Sequence, residues 1–324
     1  MASPKIDTSQ FKPLPNAAAG HDGVLSDESG LVVKPCNDTE ISFYQQTLAE
    51  HADFAELMPT FMGTLSLGAP DTPAADEVLT QEQKDKTLLH GKKLATSMAI
   101  VLQNLEHGFQ RANVLDLKLG SRLYADGTEP EKAARLDKVA SGTTSGSLNF
   151  RIAGMKVWNP SKNAFDVYDK FYGRQFSAST VSQGFEAFFG TLSSMRKGEA
   201  AQLLETVLAE VTKARHLLEK NESRMYGASV LIVYEGDPDA LSTLIGGEPR
   251  PNTDERAPTV GELKKSVDEE EEEEEGEGPP ESFMVRMIDF AHAAWTPGQG
   301  TDENVVKGLK NIESQLDALI AKFD

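Results

Sequence analysis

The chain has 324 residues, 39% of them hydrophobic, enough for one large domain or two modest ones around a real core. Its 51 acids against 32 bases leave a formal net charge of -19, which at face value argues against a nucleic-acid binder and against a polyanionic small substrate. The single cysteine, Cys36, excludes an intrachain disulfide and a multi-cysteine zinc site, and no stretch approaches the ~20 apolar residues of a membrane span.

Residues 1–28 read as a loosely ordered N-terminal extension. Their opening, MASPKIDTSQFKPLPN, has no apolar core of signal-peptide length, so residence in nucleus and cytoplasm is expected. GLVVKP (30–35) reads as a strand ended by its proline. A helix is expected from about Glu40 to Leu57, with Asp38 and Thr39 as capping candidates. FMGTLSLG (61–68) alternates as a strand does; MAIVLQNL (98–105) and NVLDLKLG (113–120) are two more, joined by a short polar bend. A helix over 130–140 has Pro130 in its first turn. FRIAGMKVW (150–158) is another strand, and 181–192 and 198–220 are helices. In the longer one Leu204, Leu208, Val211, Arg215 and Leu218 recur at helical spacing. SVLIVYE (229–235) and FMVRMIDF (283–290) are strands bracketing residues 237–281, which read as a disordered acidic loop inserted between them. The pattern is α+β, built around a mostly antiparallel sheet.

Mapping the charge changes its meaning. Residues 268–277, DEEEEEEEGE, hold nine acids and no base. Residues 236–281 hold sixteen acids and four bases, so -12 of the -19 lies there and -7 is left for everything else. Between 131 and 174, eight bases face four acids, a local excess of +4. Lys132, Arg135 and Lys138 fall roughly along one helix face, the donor concentration a polyphosphate needs.

Three short features could carry chemistry. Asp116, Lys118 and Gly120 form D-x-K-x-G at a strand end; alternation puts the carboxylate and the ammonium on one face, able to grip a hydroxyl and a phosphate or simply to form a surface ion pair. Asp289, in I-D-F-A-H (288–292), closes an apolar strand before a Phe that can pack inward, as a Mg2+ ligand or as a turn-capping residue; His292 follows it. Lys34 interrupts an apolar strand, either to pair with nucleotide phosphates or as an edge-strand lysine.

Together these features resemble a known family. ANVLDLKLGSRLY (112–124) resembles the P-x-x-x-D-x-K-x-G signature of the inositol polyphosphate kinases, with Ala112 in the place of the proline. TSGSLNFRIAGMKVW (144–158), FYGR (171–174), YGASVLIVYEGD (226–237) and MIDFAHAAW (287–295) match later blocks of that family in order, and DENVVKGLKNIESQL (302–316) is similar to its D-x-N-x-x-x-G-L ending. The short stretch between Gly120 and Gly154 is most like the multikinase subgroup of fungal type.

The resemblance implies a two-lobed, ATP-grasp or protein-kinase-like fold with antiparallel sheets and a small inositol-binding helical segment. It places an N-lobe at 29–105 and a C-lobe at 106–324, with the inositol segment at about 121–150. It implies ATP and Mg2+ as cofactors and phosphorylation of inositol trisphosphate to tetrakis- and pentakisphosphate. An inositol hexakisphosphate kinase and a largely non-catalytic transcriptional regulator are the rival readings. Lys34 would hold ATP phosphates, Gln103 and Leu105 would offer backbone bonds to adenine, and Asp289 would bind the metal. Asp116 would bind ATP at its ribose, orient the attacking hydroxyl and accept its proton, and Lys118 would bridge transferred phosphate and substrate. Lys132, Arg135, Lys138, Lys156, Lys170, Arg174 and His292 would grip substrate phosphates. Direct nucleic-acid binding is not expected; transcription-factor partners in the nucleus are.

Overall fold

A computed structural model describes residues 12–13, 24–66, 98–246 and 282–323. The chain opens with the short strands β1 (Lys12–Pro13) and β2 (Leu25–Ser26), so part of the expected loose extension is paired. β3 (Leu31–Cys36) runs through Pro35 rather than ending there. The ring is tolerated because β2 covers only Val32 and Val33, leaving β3 an edge strand at Pro35.

The first helix is shorter than its pattern suggests. Asn37, one residue before the expected caps, accepts a bond from the Glu40 amide at 2.9 Å and opens α1 (Asp38–Glu50). His51 breaks the run before α2 (Ala52–Ala55). β4 (Phe61–Ser66) and β5 (Met98–Gln103) complete a first antiparallel sheet in the order β1-β2-β3-β5-β4.

β6 (Ala112–Leu119) begins a second sheet, so the polar bend after β5 joins two sheets. Then come α3 (Pro130–Ser141), α4 (Thr144–Leu148), β7 (Phe150–Asn159), β8 (Ala164–Tyr168), α5 (Lys170–Gly173) and α6 (Ser182–Phe188). After a 3-10 turn at Gly190–Ser194 run α7 (Lys197–Lys220), β9 (Ser223–Met225) and β10 (Ser229–Glu235). α8 (Pro238–Gly246) occupies the start of the segment expected to be wholly disordered; its residues 247–281, acidic run included, lie outside the described ones. The helix is apolar enough to dock, and Leu241 is fully buried.

β11 (Phe283–Ile288) pairs directly with β10, Tyr234 against Phe283, so the chain leaves and rejoins neighbouring strands. β12 (Ala293–Trp295) pairs with β9, and α9 (Glu303–Ile320) closes the fold. The second sheet is antiparallel throughout, in the order β11-β10-β6-β7-β8.

The two faces of β6 part company. Leu115, Leu117 and Leu119 are fully buried in the main core. The same core takes in Leu203, Leu204, Val207, Val211 and Leu218 of α7 and Val305, Leu309, Ile312 and Leu316 of α9, each side chain contributing about 1.5–3 kcal/mol by burial. Arg215, in register with the α7 stripe, instead bonds Glu313 at 2.7 Å and Glu219 at 2.8 Å at the edge of that core. The opposite face of β6 carries Asp116 and Lys118. No helix among the described residues is long and apolar enough to cross a membrane.

Candidate active site

The even-numbered face of β6 meets the first sheet at one carboxylate. Asp289 follows β11 with φ +69, a left-handed conformation that costs an aspartate little and turns its side chain back toward the sheets. Phe290 holds that turn: it is fully buried, stacked on Phe43 at 4.7 Å between centroids and edge-on to Tyr44 at 5.5 Å. Phe43 in turn stacks on Trp295, whose indole donates to Thr47 at 2.9 Å. The inward Phe expected from the sequence therefore anchors α1, and α1 anchors the aspartate.

Asp289 takes a lysine from each sheet. Lys34 on β3 reaches Oδ1 at 3.0 Å, and Lys118 on β6 reaches Oδ2 at 3.2 Å. Lys34 also bonds Glu40 of α1 at 2.7 Å, and the same Glu40 oxygen accepts the Phe290 amide at 3.1 Å. Lys118 donates to the Gly227 carbonyl at 2.8 Å. Burial opposes the charge on Lys34, but the Asp289 and Glu40 carboxylates outweigh it and hold its pKa above the ordinary lysine range. The readings of Lys34 as a plain edge-strand lysine and of Asp289 as only a cap do not hold.

Asp116 sits one pleat back on the same face, fully buried, which removes the surface-ion-pair reading. Across the register from Lys118 stands Arg151 of β7, where β7 slips by one residue between the partners of Asp116 and Leu117. Arg151 is 9% exposed and donates to Ser145 Oγ at 2.8 Å. Burial, then the nearby Arg174, lower its pKa, and Asp116 offsets them in part. Arg174 Nε is itself buried with no hydrogen-bond partner among the described residues. Arg151 and Glu40 were missed by the sequence reading. An acid in the first turn of the helix after the Lys34 strand, and a base opening the strand after the serine-leucine segment, were the available signals.

The outer bases divide. Lys132, Arg135 and Lys138 are exposed along α3 and make no ion pair among the described residues. Partial burial, then the charge of Lys132, lower the His292 pKa, which brings Lys132 electrostatically beside the residue three past Asp289. Lys156 stands apart. Its ammonium is committed to Glu106 at 2.5 Å and lies 4.9 Å over the Phe165 ring, at the far end of β7 from Lys118. Lys170 is exposed, with its ammonium 5.6 Å from the Phe171 ring. At the junction of the sheets the Gln103 amide donates to Thr60 O at 2.9 Å, so a contact from Gln103 to a base falls to its carbonyl. Leu105 is buried against Ala112, Val114 and Met284.

Chemically this is a pair of ammonium groups aimed from two sheets at one point, with a single carboxylate between them. An incoming phosphate can replace the carboxylate as their partner. A divalent ion fits on the same terms. No cluster of three His, Cys, Asp or Glu side chains exists among the described residues. One carboxylate completed by phosphate oxygens and water is, however, the usual environment of Mg2+.

The family model for inositol polyphosphate kinase matches residues 99–317. The chain is 32% identical to an inositol polyphosphate multikinase of Saccharomyces cerevisiae, over 95% of this chain and 98% of that one. It is 27% identical to an inositol polyphosphate multikinase of Schizosaccharomyces pombe, over 94% and 96%. An inositol hexakisphosphate kinase 3 of Mus musculus is 31% identical over 66% of this chain and 48% of its own length. Among solved structures, an inositol phosphate multikinase from S. cerevisiae in complex with ADP and Mn2+ superposes with a TM-score of 0.65 at 28% identity, covering 90% of this chain and 99% of that one. A second inositol phosphate multikinase structure, at 16% identity and a TM-score of 0.54, shares the fold.

Proposed function

The chain belongs to the inositol polyphosphate kinase family, and from that premise we propose an ATP-dependent inositol polyphosphate multikinase that phosphorylates inositol trisphosphate to tetrakis- and pentakisphosphate. The observation that carries the reading is the Asp289 carboxylate shared by Lys34 and Lys118, one from each sheet. The proposed lobes follow that division, with residues 29–105 serving the nucleotide and 106–324 the inositol phosphate.

Lys34, kept charged by Glu40 and Asp289, holds the nucleotide phosphates. The Gln103 carbonyl and the Leu105 amide meet the adenine. Asp116 orients the attacking hydroxyl and receives its proton, and Lys118 steadies the phosphoryl group in transit between nucleotide and ring. Lys132, Arg135, Lys138, Arg174 and His292, with Arg151 added, fix the phosphates of the substrate. Lys156 and Lys170 serve at the margin, Lys156 because Glu106 already neutralises it. Mg2+ bound with the nucleotide at Asp289 would supply neutralisation of the charge that builds on the transferred phosphoryl group. Most of the remaining rate comes from positioning, which the two lysines and Asp116 provide. Several ring positions are reached because α3 and α4 form only a small substrate segment.

Chromatographic analysis of products from inositol trisphosphate and from hexakisphosphate, each with ATP and Mg2+, tests this. Tetrakis- and pentakisphosphate are expected; turnover of hexakisphosphate alone would overturn it. Nuclear and cytoplasmic residence, and transcription-factor partners for the chain in the nucleus, belong to the same proposal. Fractionation and pull-down of the tagged chain test them.

A further inference from the structure

The D-E-N-V-V-K-G run (302–308) has no role in the chemistry above, yet two of its residues, Asn304 and Gly308, converge on one place. Asp302 caps α9, accepting the Val305 amide at 3.3 Å, and its other oxygen accepts the Met225 amide at 2.8 Å. Asn304, in the first turn, accepts from the Ser121 amide at 2.8 Å, the Arg122 amide at 3.0 Å and Ser121 Oγ at 3.2 Å. Its Nδ2 donates back to the Arg122 carbonyl at 3.0 Å. The carbonyl of Asn304 accepts from Asn149 Nδ2 at 3.2 Å, and Asn149 also donates to Ser121 Oγ at 3.2 Å.

The partners of Asn304 are the two ends of one segment. The chain leaves β6 at Ser121, forms α3 and α4 with the candidate phosphate grips, and returns to β7 through Asn149, whose φ is +53. The Gly120 amide closes the gap to the Asn149 carbonyl at 2.7 Å. The backbone approaches closely at Asn304 and at Asn149. A Cβ at Gly120, where φ is +91, would stand 2.4 Å from Asn304 Nδ2, and one at Gly308 would stand 2.3 Å from the Asn149 carbonyl. The spacing of Asn304 and Gly308, one helical turn, sets both against the same knot. Among the described residues, none of the side-chain bonds of Asn304 reaches β3, β5 or residues 103–105.

We propose that Asn304 is a positioning residue for the inositol phosphate: it pins both ends of segment 121–149 so that the bases on α3 and the start of β7 are held for the substrate, without acting on the nucleotide. This rests on the proposed substrate reading. A segment loosened at both ends is competent only part of the time, and apparent affinity falls by that fraction.

The test is steady-state kinetics of the full-length Asn304→Ala chain with inositol trisphosphate and ATP, with amide hydrogen exchange alongside. KM for the inositol phosphate is expected to rise about tenfold while KM for ATP stays within about twofold, and residues 121–149 are expected to exchange faster. An unchanged inositol phosphate KM, or both KM values rising together, overturns the proposal. Should Asn304→Ala not fold, Ser121→Ala decides by the same readouts, with a rise of about threefold, because it removes only the hydroxyl shared by Asn304 and Asn149. Should the unsubstituted chain not turn over inositol trisphosphate, the substrate reading falls and exchange alone decides the clamp. Faster exchange confined to 121–149 then upholds it, and unchanged exchange removes it.

Discussion

Asp289 is one side chain serving two lysines, and its removal should be felt as chemistry before it is felt as stability. Asp289→Asn keeps the shape but loses the negative charge and one of the two acceptor oxygens, so kcat is expected to fall by about a hundredfold or more, with circular dichroism unchanged. A loss of only a few fold would detach this carboxylate from the reaction. Glu40 was passed over in the sequence because an acid in the first turn of a helix ordinarily serves the helix dipole. Only the fold shows the same oxygen holding Lys34 and the Phe290 amide. His292 carries a pH signature. Its folded-state pKa lies below the ordinary value of 6.5, through partial burial and then Lys132, so the unfolded chain takes up the proton first. Stability is therefore full above about pH 6.5 and falls as the pH drops through the folded-state value. Lys132→Gln removes one cause: the imidazole should titrate higher by NMR, and the acid-side fall in Tm should shrink. An unmoved resonance would mean that Lys132 does not face His292.

Among the elements, α1 links packing to chemistry most directly. Asn37 caps it through the Glu40 amide, and its Nδ2 donates to the Ala291 carbonyl at 3.0 Å, two residues beyond Asp289. Asn37→Ala is expected to cost about 1 kcal/mol, as lost caps do, and to raise KM for ATP in the same variant. A Tm shift with KM unchanged would separate cap from site. Four of the five strands of the second sheet, β6, β7, β10 and β11, were legible to within a residue or two, because runs such as SVLIVYE are β-branched and apolar and need no long-range information to be strands. The helix break at His51 and the cap at Asn37 were not. The period of residues 40–57 is continuous, and what stops it is the stacking of His51 on Trp295, 3.8 Å between centroids, from the other end of the chain. β8, β9 and β12 were missed for a similar reason. They are three to five residues long and are strands only because a partner lies beside them.

At the scale of the molecule, the two described strands that bracket the acidic segment, β10 and β11, pair directly with each other. Tyr234 pairs with Phe283 at the point where the chain departs, so a short linker can replace residues 248–277 with little change in closure entropy. That deletion is expected to leave Tm within a few degrees and kcat/KM for inositol trisphosphate within about twofold, while removing much of the -19 charge. A collapse of either would show that the acids bear on the fold or the site. The ordered blocks from Asp116 to Asn304 determined the family, the α+β class and most of the candidate site from the sequence alone, because strand alternation and motif spacing are local and survive in one dimension. Composition by itself pointed away from a polyanionic substrate until the charge was mapped. Which lysines share a carboxylate was decided only in three dimensions, as was the commitment of Lys156 to Glu106 and the hold of the last helix on both ends of segment 121–149. Lys34 and Asp289 are 255 residues apart, and a contact over that distance is set by how the sheets pack and not by any pattern along the chain.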